Sequence, residues 1–549
     1  MPARSQTSRL TDATSPTLAA RLAALLVLPY LLLGLAWLGA SPVGSGPDET
    51  DHLVKALSVA RLDLGAPVPI TATKPVLVRN QSISRAVTIP SRQSPKGLLC
   101  FTFKVKVTPT CQPPPPADTG DVTVVTTLGA YPPFLYYPIG LVAGLGQTPA
   151  QAVLLGRGVV LVVAMLLFWL AVRHLVRWVG PRAAVGVVVA VTPMTAFCTG
   201  ILNTSALEIF GALGVATVVV VATRHPDSLT RRGTQLVMLA CGSVLVLSRQ
   251  LGIVTMVALV ALLLIRGGWS VLWPRLRAHD PLLLGVVGLL AAESAAVAVW
   301  EALRDHPAFV GPLVSSESLT AFPGQIGMIA REAVGWFGWL DVRPPVPYAV
   351  AWGVLIGLLL LGGLVLGDGR DRWTLVLMLV VAFGVAYSTY ASVFYPVQAG
   401  LQGRHILPIL VVVPLLAGTV VAERLPRPVL LVFGTIASVA AATLHLGGFW
   451  LAAQRYAVGL PARLWFLADA QWSPTLGWAP WLVLATVAVL ALAAAFGAVI
   501  RVRPTDPDRH GSERDGPRRD GPRPDGSDDG GRAGRGVSAS SRPPSGRTT

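Results

Sequence analysis

The sequence predicts an all-α polytopic membrane protein with about twelve transmembrane helices and one large extracytoplasmic loop. Three observations predict it. Hydrophobic residues fill 53% of the 549 positions and charged ones only 13%, with a mean hydropathy of +0.61. A soluble chain has too little interior to bury that much apolar surface. Apolar runs of roughly twenty residues, the length that crosses a bilayer as helix, recur along the chain. The arginines gather in short segments between alternate runs, as the positive-inside rule requires. That distribution accounts for the net charge of +16 and the pI near 10.4, and no nucleic-acid partner is expected.

Residues 1–20 read as a cytoplasmic tail and 21–500 as the transmembrane domain. The first span is 21–40. Its end, "AWLGAS", weakly matches a signal-peptidase site, but the apolar stretch is long for a signal segment and reads as uncleaved. The first outside loop is 41–150. Further spans follow at 151–172, 183–201, 206–223, 234–248, 251–265, 281–300, 347–366, 373–391, 405–422, 428–446 and 479–500. The basic segments "RHLVRWVGPR", "RHPDSLTRR", "RGGWSVLWPRLR", "GDGRDR", "ERLPR" and "RVR" then fall together on the cytoplasmic side. Both termini lie inside a multi-pass plasma-membrane protein. "YPPFLYYPIGLVAGLG" (131–146) is apolar but short and broken by proline. A full span there would invert every later basic loop, so it reads as a helix in the outer interface, where tyrosine belts occur. Residues 501–549, rich in Arg, Asp, Gly, Pro and Ser, read as a disordered cytoplasmic tail.

The first loop holds most of the chemistry. Gly46-Pro47 signals a helix start. Leu53, Ala56, Leu57, Ala60 and Leu64 then share one helical face, with Asp48, His52 and Lys55 opposite and Asp51 beside them. The pattern predicts an amphipathic helix resting on the outer membrane surface. Glu49 projects to the edge of the apolar face, where a carboxylate needs a partner or water. Asp48 and Glu49 are therefore the candidate catalytic residues, one acting as general base. Together they are also the candidate ligands of a divalent metal ion, Mg or Mn. Asp51 reads as a first-turn acid complementing the helix dipole. His52 stands one turn from Asp48 and can orient it.

Cys198 and Cys241 fall in apolar spans and read as packing residues. Cys100 and Cys111 share the first loop, and an outside location permits a disulfide between them. All five lysines lie in this loop, and no acid stands between Asp63 and Asp118 while seven bases do. Such a stretch can collect phosphate-bearing molecules or adhere to anionic headgroups. Arg249, in "LSRQLG", and Arg404, in "LQGRHILP" beside Gln402 and His405, sit at the outer ends of spans. A guanidinium there can fork onto a lipid phosphate or snorkel to headgroups. Tyr136 and Tyr137, after Tyr131, can stack on sugar or isoprenoid, or anchor the interface. Glu293 lies within a span and is a candidate proton or cation site.

The order of these features resembles a known family. A long span, "PDETDH" in the first outside loop, "YPPFLYY" before the next span, then "WFGWLD" (336–341) and "LQGRH" (401–405) look like the GT-C superfamily of membrane glycosyltransferases. More narrowly, they resemble a bacterial family of predicted multi-spanning membrane proteins with a P-D-E-x-x-H motif. The likeness runs over roughly residues 20–450. It implies a GT-C-like fold and transfer of a sugar from a polyprenyl-phosphate carrier to a glycan or protein acceptor outside the cytoplasm. An acid in the first outside loop then serves as base or metal ligand, which places those roles on Asp48 and Glu49. Membrane lipids and a polyprenyl-phosphate-linked sugar are the implied partners. The alternatives are a transporter or flippase for a lipid-linked or anionic solute, with Glu293 as coupling group, and a non-catalytic partner in envelope assembly.

Overall fold

The computed structural model describes residues 14–267, 273, 274, 276, 277, 280–304 and 307–502. Most of both expected tails, and part of the basic segment 266–277, lie outside the described residues. The chain begins with α1 (Pro16–Ala40), α2 (Glu49–Ala60), β1 (Ala66–Pro67), α3 (Pro75–Ile83), β2 (Arg85–Pro90), β3 (Asp121–Thr126) and α4 (Tyr136–Ala143). It continues through α5 (Pro149–Trp178), α6 (Ala184–Ala190), α7 (Pro193–Thr199), α8 (Ser205–Arg224), α9 (Arg232–Ser248), α10 (Gln250–Gly267) and α11 (Pro281–Leu303). It ends with α12 (Ser316–Ala321), α13 (Pro323–Gly335), α14 (Val346–Leu366), α15 (Gly369–Thr389), α16 (Gly403–Leu410), α17 (Val412–Arg424), α18 (Arg427–Val458) and α19 (Trp478–Arg501).

Every one of the expected spans falls on helix. Among the described residues, nine helices are long and apolar enough to cross a membrane, taking α16 and α17 as one. The segment Pro181–Ala190 plus Pro193–Thr199 makes a tenth only as a pair bent by 82°. Thr192 caps α7 and Pro193 opens it, so the chain restarts its helix there instead of continuing it. α9 and α10 are shorter and form a hairpin about Arg249. Gln235, near the start of α9, bonds Asp280 before α11, while Arg266, near the end of α10, bonds Asp371 and Thr374 of α15.

α8 is the central helix, buried at every position from Ser205 to Ala222. Small residues let its neighbours close in. α6 and α17 also approach closely, backbone to backbone: a Cβ added to Gly418 would stand 2.3 Å from the Cα of Gly186. At one end of the bundle, Asp371 gathers Arg266, Arg224 at 3.9 Å and Arg424 at 3.4 Å. This cluster fastens α8, α10, α15 and α17 together.

The long first loop folds over the other end. One of its features adds to the sequence reading and one corrects it. First, the loop contains a three-stranded antiparallel sheet in the order β1-β2-β3, with Arg85 opposite Thr126 and Pro90 opposite Asp121. The fold is mostly α, as expected, and this small sheet is an addition within the loop. The alternating, β-branched "RAVTIP" and "DVTVVT" carry the strand pattern. Second, α2 does not rest on the membrane surface. Its apolar face and most of its polar face are buried, including His52, Lys55 and Ser58. Lys55 Nζ donates to the Gly129 carbonyl at 2.9 Å and lies 5.5 Å from the Trp300 ring centre. The sheet and α4 supply the cover that the sequence reading assigned to lipid and water. The Tyr-rich segment spans nothing. α4 has eight residues, about 12 Å of helix, and packs on α2 and α5.

A candidate site at the capped end of the bundle

Asp48 begins the site. It precedes α2 with φ 61° and ψ 14°, a left-handed conformation that Asp tolerates better than most residues. Its side chain makes no cap bond to its own helix. Instead Oδ2 accepts from Arg404 Nη2 at 3.1 Å, across 356 positions of sequence. The carboxylate remains 39% exposed while Arg404 is only 6% exposed. Arg404 Nε has no protein partner.

The placement of Arg404 is set by the turn before α16. The Gly403 amide donates to Glu332 Oε2 of α13 at 2.8 Å. Only glycine fits there, because a Cβ would stand 2.3 Å from the Ala333 nitrogen. Burial, the largest influence, raises the Glu332 pKa above the usual carboxylate value, against the Gly403 amide and the Arg404 charge. Glu332, Gln402 and Arg404 line, with Pro47, a crevice too narrow to admit a water-sized sphere. Gln402 Oε1 has no protein partner.

Arg249, at the α9–α10 turn, donates to Thr204 Oγ1 at 3.1 Å and Ser205 Oγ at 3.2 Å, with its Cζ 5.4 Å from the Tyr131 ring centre. His52 Nδ1 and the Tyr136 hydroxyl share a 2.8 Å hydrogen bond, and their rings stack. Burial, then the charges of Arg249 and Arg404, depress the His52 pKa well below the usual value. His52 is neutral and committed to Tyr136. Asp51 Oδ1 accepts from the Thr127 amide at 2.8 Å and so ties α2 to the end of β3; burial raises its pKa.

The structure thus brings Asp48, Arg404, Arg249, His52, Tyr136 and Gln402 to one end of the bundle. Two expectations do not join them, whereas His405 stays with the cluster, under the charges of Arg404 and Arg249, with its ring 5.8 Å from Phe394. Tyr137 is exposed and turned away. Glu49 is the main correction. It is 0% exposed and ion-paired with Arg157, itself 0% exposed, at 2.6 Å. Oε1 also accepts from Arg157 Nε at 2.7 Å and the Leu202 amide at 2.8 Å, and Oε2 from the Gly44 amide at 2.9 Å. No lone pair is left for a substrate proton or a cation, so Glu49 is neither base nor metal ligand in this arrangement. Asp48 by itself, facing a guanidinium, does not fit a divalent ion. Among the described residues no group of three or more His, Cys, Asp or Glu is arranged to hold one.

Sequence reading missed Arg157 and Glu332. Arg157 stands inside an apolar helix, and an intramembrane arginine demands a counter-charge; Glu49 had the matching need. Glu332 carried no such signal. Cys100 and Cys111 form a disulfide with Cα atoms 6.1 Å apart. Glu293 lies on α11 with Oε2 unpartnered, on a helix that buries only Leu283, Val286, Leu290 and Val297.

Comparison with known proteins gives a family and a likeness to solved structures. The crystal structure of ArnT from Cupriavidus metallidurans bound to undecaprenyl phosphate is similar at 15% identity, over 87% of this chain and 76% of that chain, with a TM-score of 0.43. No curated protein matches. The family model described as "Predicted membrane protein (DUF2142)" matches residues 31–413. With most of the bundle and the whole capped site inside that match, the chain belongs to the DUF2142 family of predicted membrane proteins.

Proposed function

We propose that this protein is a membrane glycosyltransferase that moves a sugar from a polyprenyl-phosphate carrier to a glycan or protein acceptor on the extracytoplasmic side. The observation that carries the reading is the Asp48–Arg404 pair: a half-open carboxylate held against a buried guanidinium that keeps a free donor. Arg404 and Arg249 are suited to the lipid phosphate, because a guanidinium offers a planar fork of donors. Phosphate binding draws Arg404 away from Asp48 and frees the carboxylate. Asp48 then takes the proton of the acceptor hydroxyl, and the oxygen attacks the anomeric carbon from the face opposite the phosphate. A C–O bond to the acceptor forms. The bond to the phosphate oxygen breaks, and polyprenyl phosphate leaves with the electron pair. Arg404 and Arg249 stabilise the charge that grows on it, each donor contributing about 3 kcal/mol of barrier lowering. No step is routed through a metal ion. The stacked, neutral His52 and Tyr136 hold the floor of the site without exchanging protons.

The basic segments noted above support a capped end that faces away from the cytoplasm. The experiment is deletion of the chromosomal copy and complementation with Asp48→Ala or Arg404→Ala, reading the sugar composition of the envelope glycans. Loss of one sugar in the deletion, restored by the wild type and by neither variant at equal membrane abundance, supports the reading. Full restoration by both variants rejects it.

A further inference from the structure

A second cavity, of about 490 Å³, opens beside the crevice of Arg404 and within the size range of ligand pockets. Its walls are Gln325 and Met328 of α13 and the segment from Tyr390 to Gly400 between α15 and α16. That segment is irregular in a way that shapes it. After α15 the backbone widens into a π-helical turn over Tyr390–Phe394, then tightens to a 3-10 turn over Tyr395–Val397. Such changes of winding recur at functional sites. Arg79, from the cap, bonds the Val393 carbonyl within this turn. Gln398 then adopts φ 56°, which turns the chain back toward Gly400. At Gly400 a side chain would intrude, since a Cβ would stand 2.6 Å from Met328 Cε and 3.3 Å from Gln325 Oε1.

The result is a corner of two phenol rings, the buried Tyr390 and the half-buried Tyr395, with centroids 5.8 Å apart and planes at 60°. The amides of Gln325 and Gln398 also line it, and Gln325 Oε1 has no protein partner. None of the eight lining residues carries a charge. Aromatic faces and neutral amides are the groups that hold a pyranose or furanose ring: the rings cover its C–H faces and the amides pair with its hydroxyls. An ionised ligand would be desolvated there without a counter-charge. Arg404 follows Gly400 by four positions, a reach of at most about 14 Å.

We infer that this cavity is the subsite for an uncharged sugar joined to the phosphate that Arg404 binds. The inference rests on the proposed function and adds the class of sugar. Tyr395 and Tyr390 cover the ring, Gln325 and Gln398 engage its hydroxyls, and Gly400 keeps the space open.

The test measures binding by the full-length protein in lipid nanodiscs. The probes are undecaprenyl phosphate alone and the same lipid carrying glucose, mannose, arabinose or a glucuronic acid. The wild type should bind at least one neutral-sugar lipid about tenfold more tightly than the bare phosphate, the scale of one or two net hydrogen bonds plus a ring contact. Tyr395→Ala and Gln398→Gly should each bring that ratio near one while leaving bare-lipid affinity unchanged. Gln398→Gly suits the positive φ, so its fold is safe. Arg404→Ala should weaken all the lipids together. The subsite is overturned if the wild type shows no neutral-sugar preference, if both cavity variants keep it, or if the glucuronic acid lipid binds as well. In each case an intact effect of Arg404→Ala leaves the phosphate reading standing. Arg404→Ala without effect on any lipid defeats the phosphate reading itself, and the subsite with it.

Discussion

Replacing Glu49 by Gln separates a structural carboxylate from a catalytic one. Glu49 accepts four hydrogen bonds, two from Arg157 and one each from the amides of Leu202 and Gly44. A glutamine keeps one carbonyl oxygen and turns an NH2 toward two of those donors. Arg157 retains its bonds to the carbonyls of Leu38, Ser41 and Pro42 at 3.0, 2.8 and 2.9 Å, but it loses its counter-charge at 0% exposure. Breaking a buried ion pair on one side costs about 3–5 kcal/mol, a large share of a typical stability of about 5–15 kcal/mol. An unfolding entropy of about 2.1 cal/mol/K per residue gives roughly 1 kcal/mol per degree for a bundle of this size, so the midpoint should fall by about 3–5 °C. The assay is thermal unfolding of purified protein in detergent, followed by tryptophan fluorescence, for wild type, Glu49→Gln and Asp48→Asn. Asp48→Asn should unfold close to the wild type, because its carboxylate is half open and makes one long contact. A Glu49→Gln protein that unfolds with the wild type yet loses transfer would return Glu49 to the chemistry and refute the structural assignment.

Three further outcomes are expected. Burial pulls the Lys55 amine down from 10.5 to about 8; the unfolded chain therefore binds more protons between those values, and folding strengthens as pH rises from about 8 to 10.5. Lys55→Met should remove that rise, seen as a flatter pH profile of Tm than the wild type shows over the same window. Glu332→Gln should keep the fold at a cost of about 1–3 kcal/mol, from the weaker acceptor offered to the Gly403 amide, and should weaken undecaprenyl phosphate binding by displacing Arg404. Cys100→Ser opens a loop of separation 11, a loss of about 3 kcal/mol on the chain-entropy account, and intact wild-type protein unfolded without reductant should titrate two free thiols, Cys198 and Cys241.

The spans were legible because a bilayer imposes one length and one composition on every helix that crosses it. The segment 183–201 shows the limit of that reading: the apolar run is continuous, but Thr192-Pro193 starts a new helix and folds it over. Asp48 and Arg404 could be proposed as partners from motif order alone, and the 3.1 Å contact sets them side by side. The assignment of Glu49 went astray for a physical reason. A carboxylate at the edge of an apolar face announces a need for a partner without naming it, and Arg157 stands 108 positions away. The amphipathic pattern of α2 was likewise real, yet periodicity cannot distinguish a lipid surface from a covering sheet and helix. The strands were hidden by shortness, since β1 has two residues and the others six.

Arg455, near the end of α18, has a role in time as well as in space. Its buried guanidinium binds Asp341 at 2.8 Å and the carbonyls of Val107, Phe101 and Lys104. The ribosome reaches position 455 nearly 350 residues after those carbonyls, tens of seconds later at ordinary elongation rates. Until then the cap has been made but not latched. Nascent chains halted before α18 should leave the disulfide-bearing stretch open to envelope proteases, whereas chains that pass it close that door behind them.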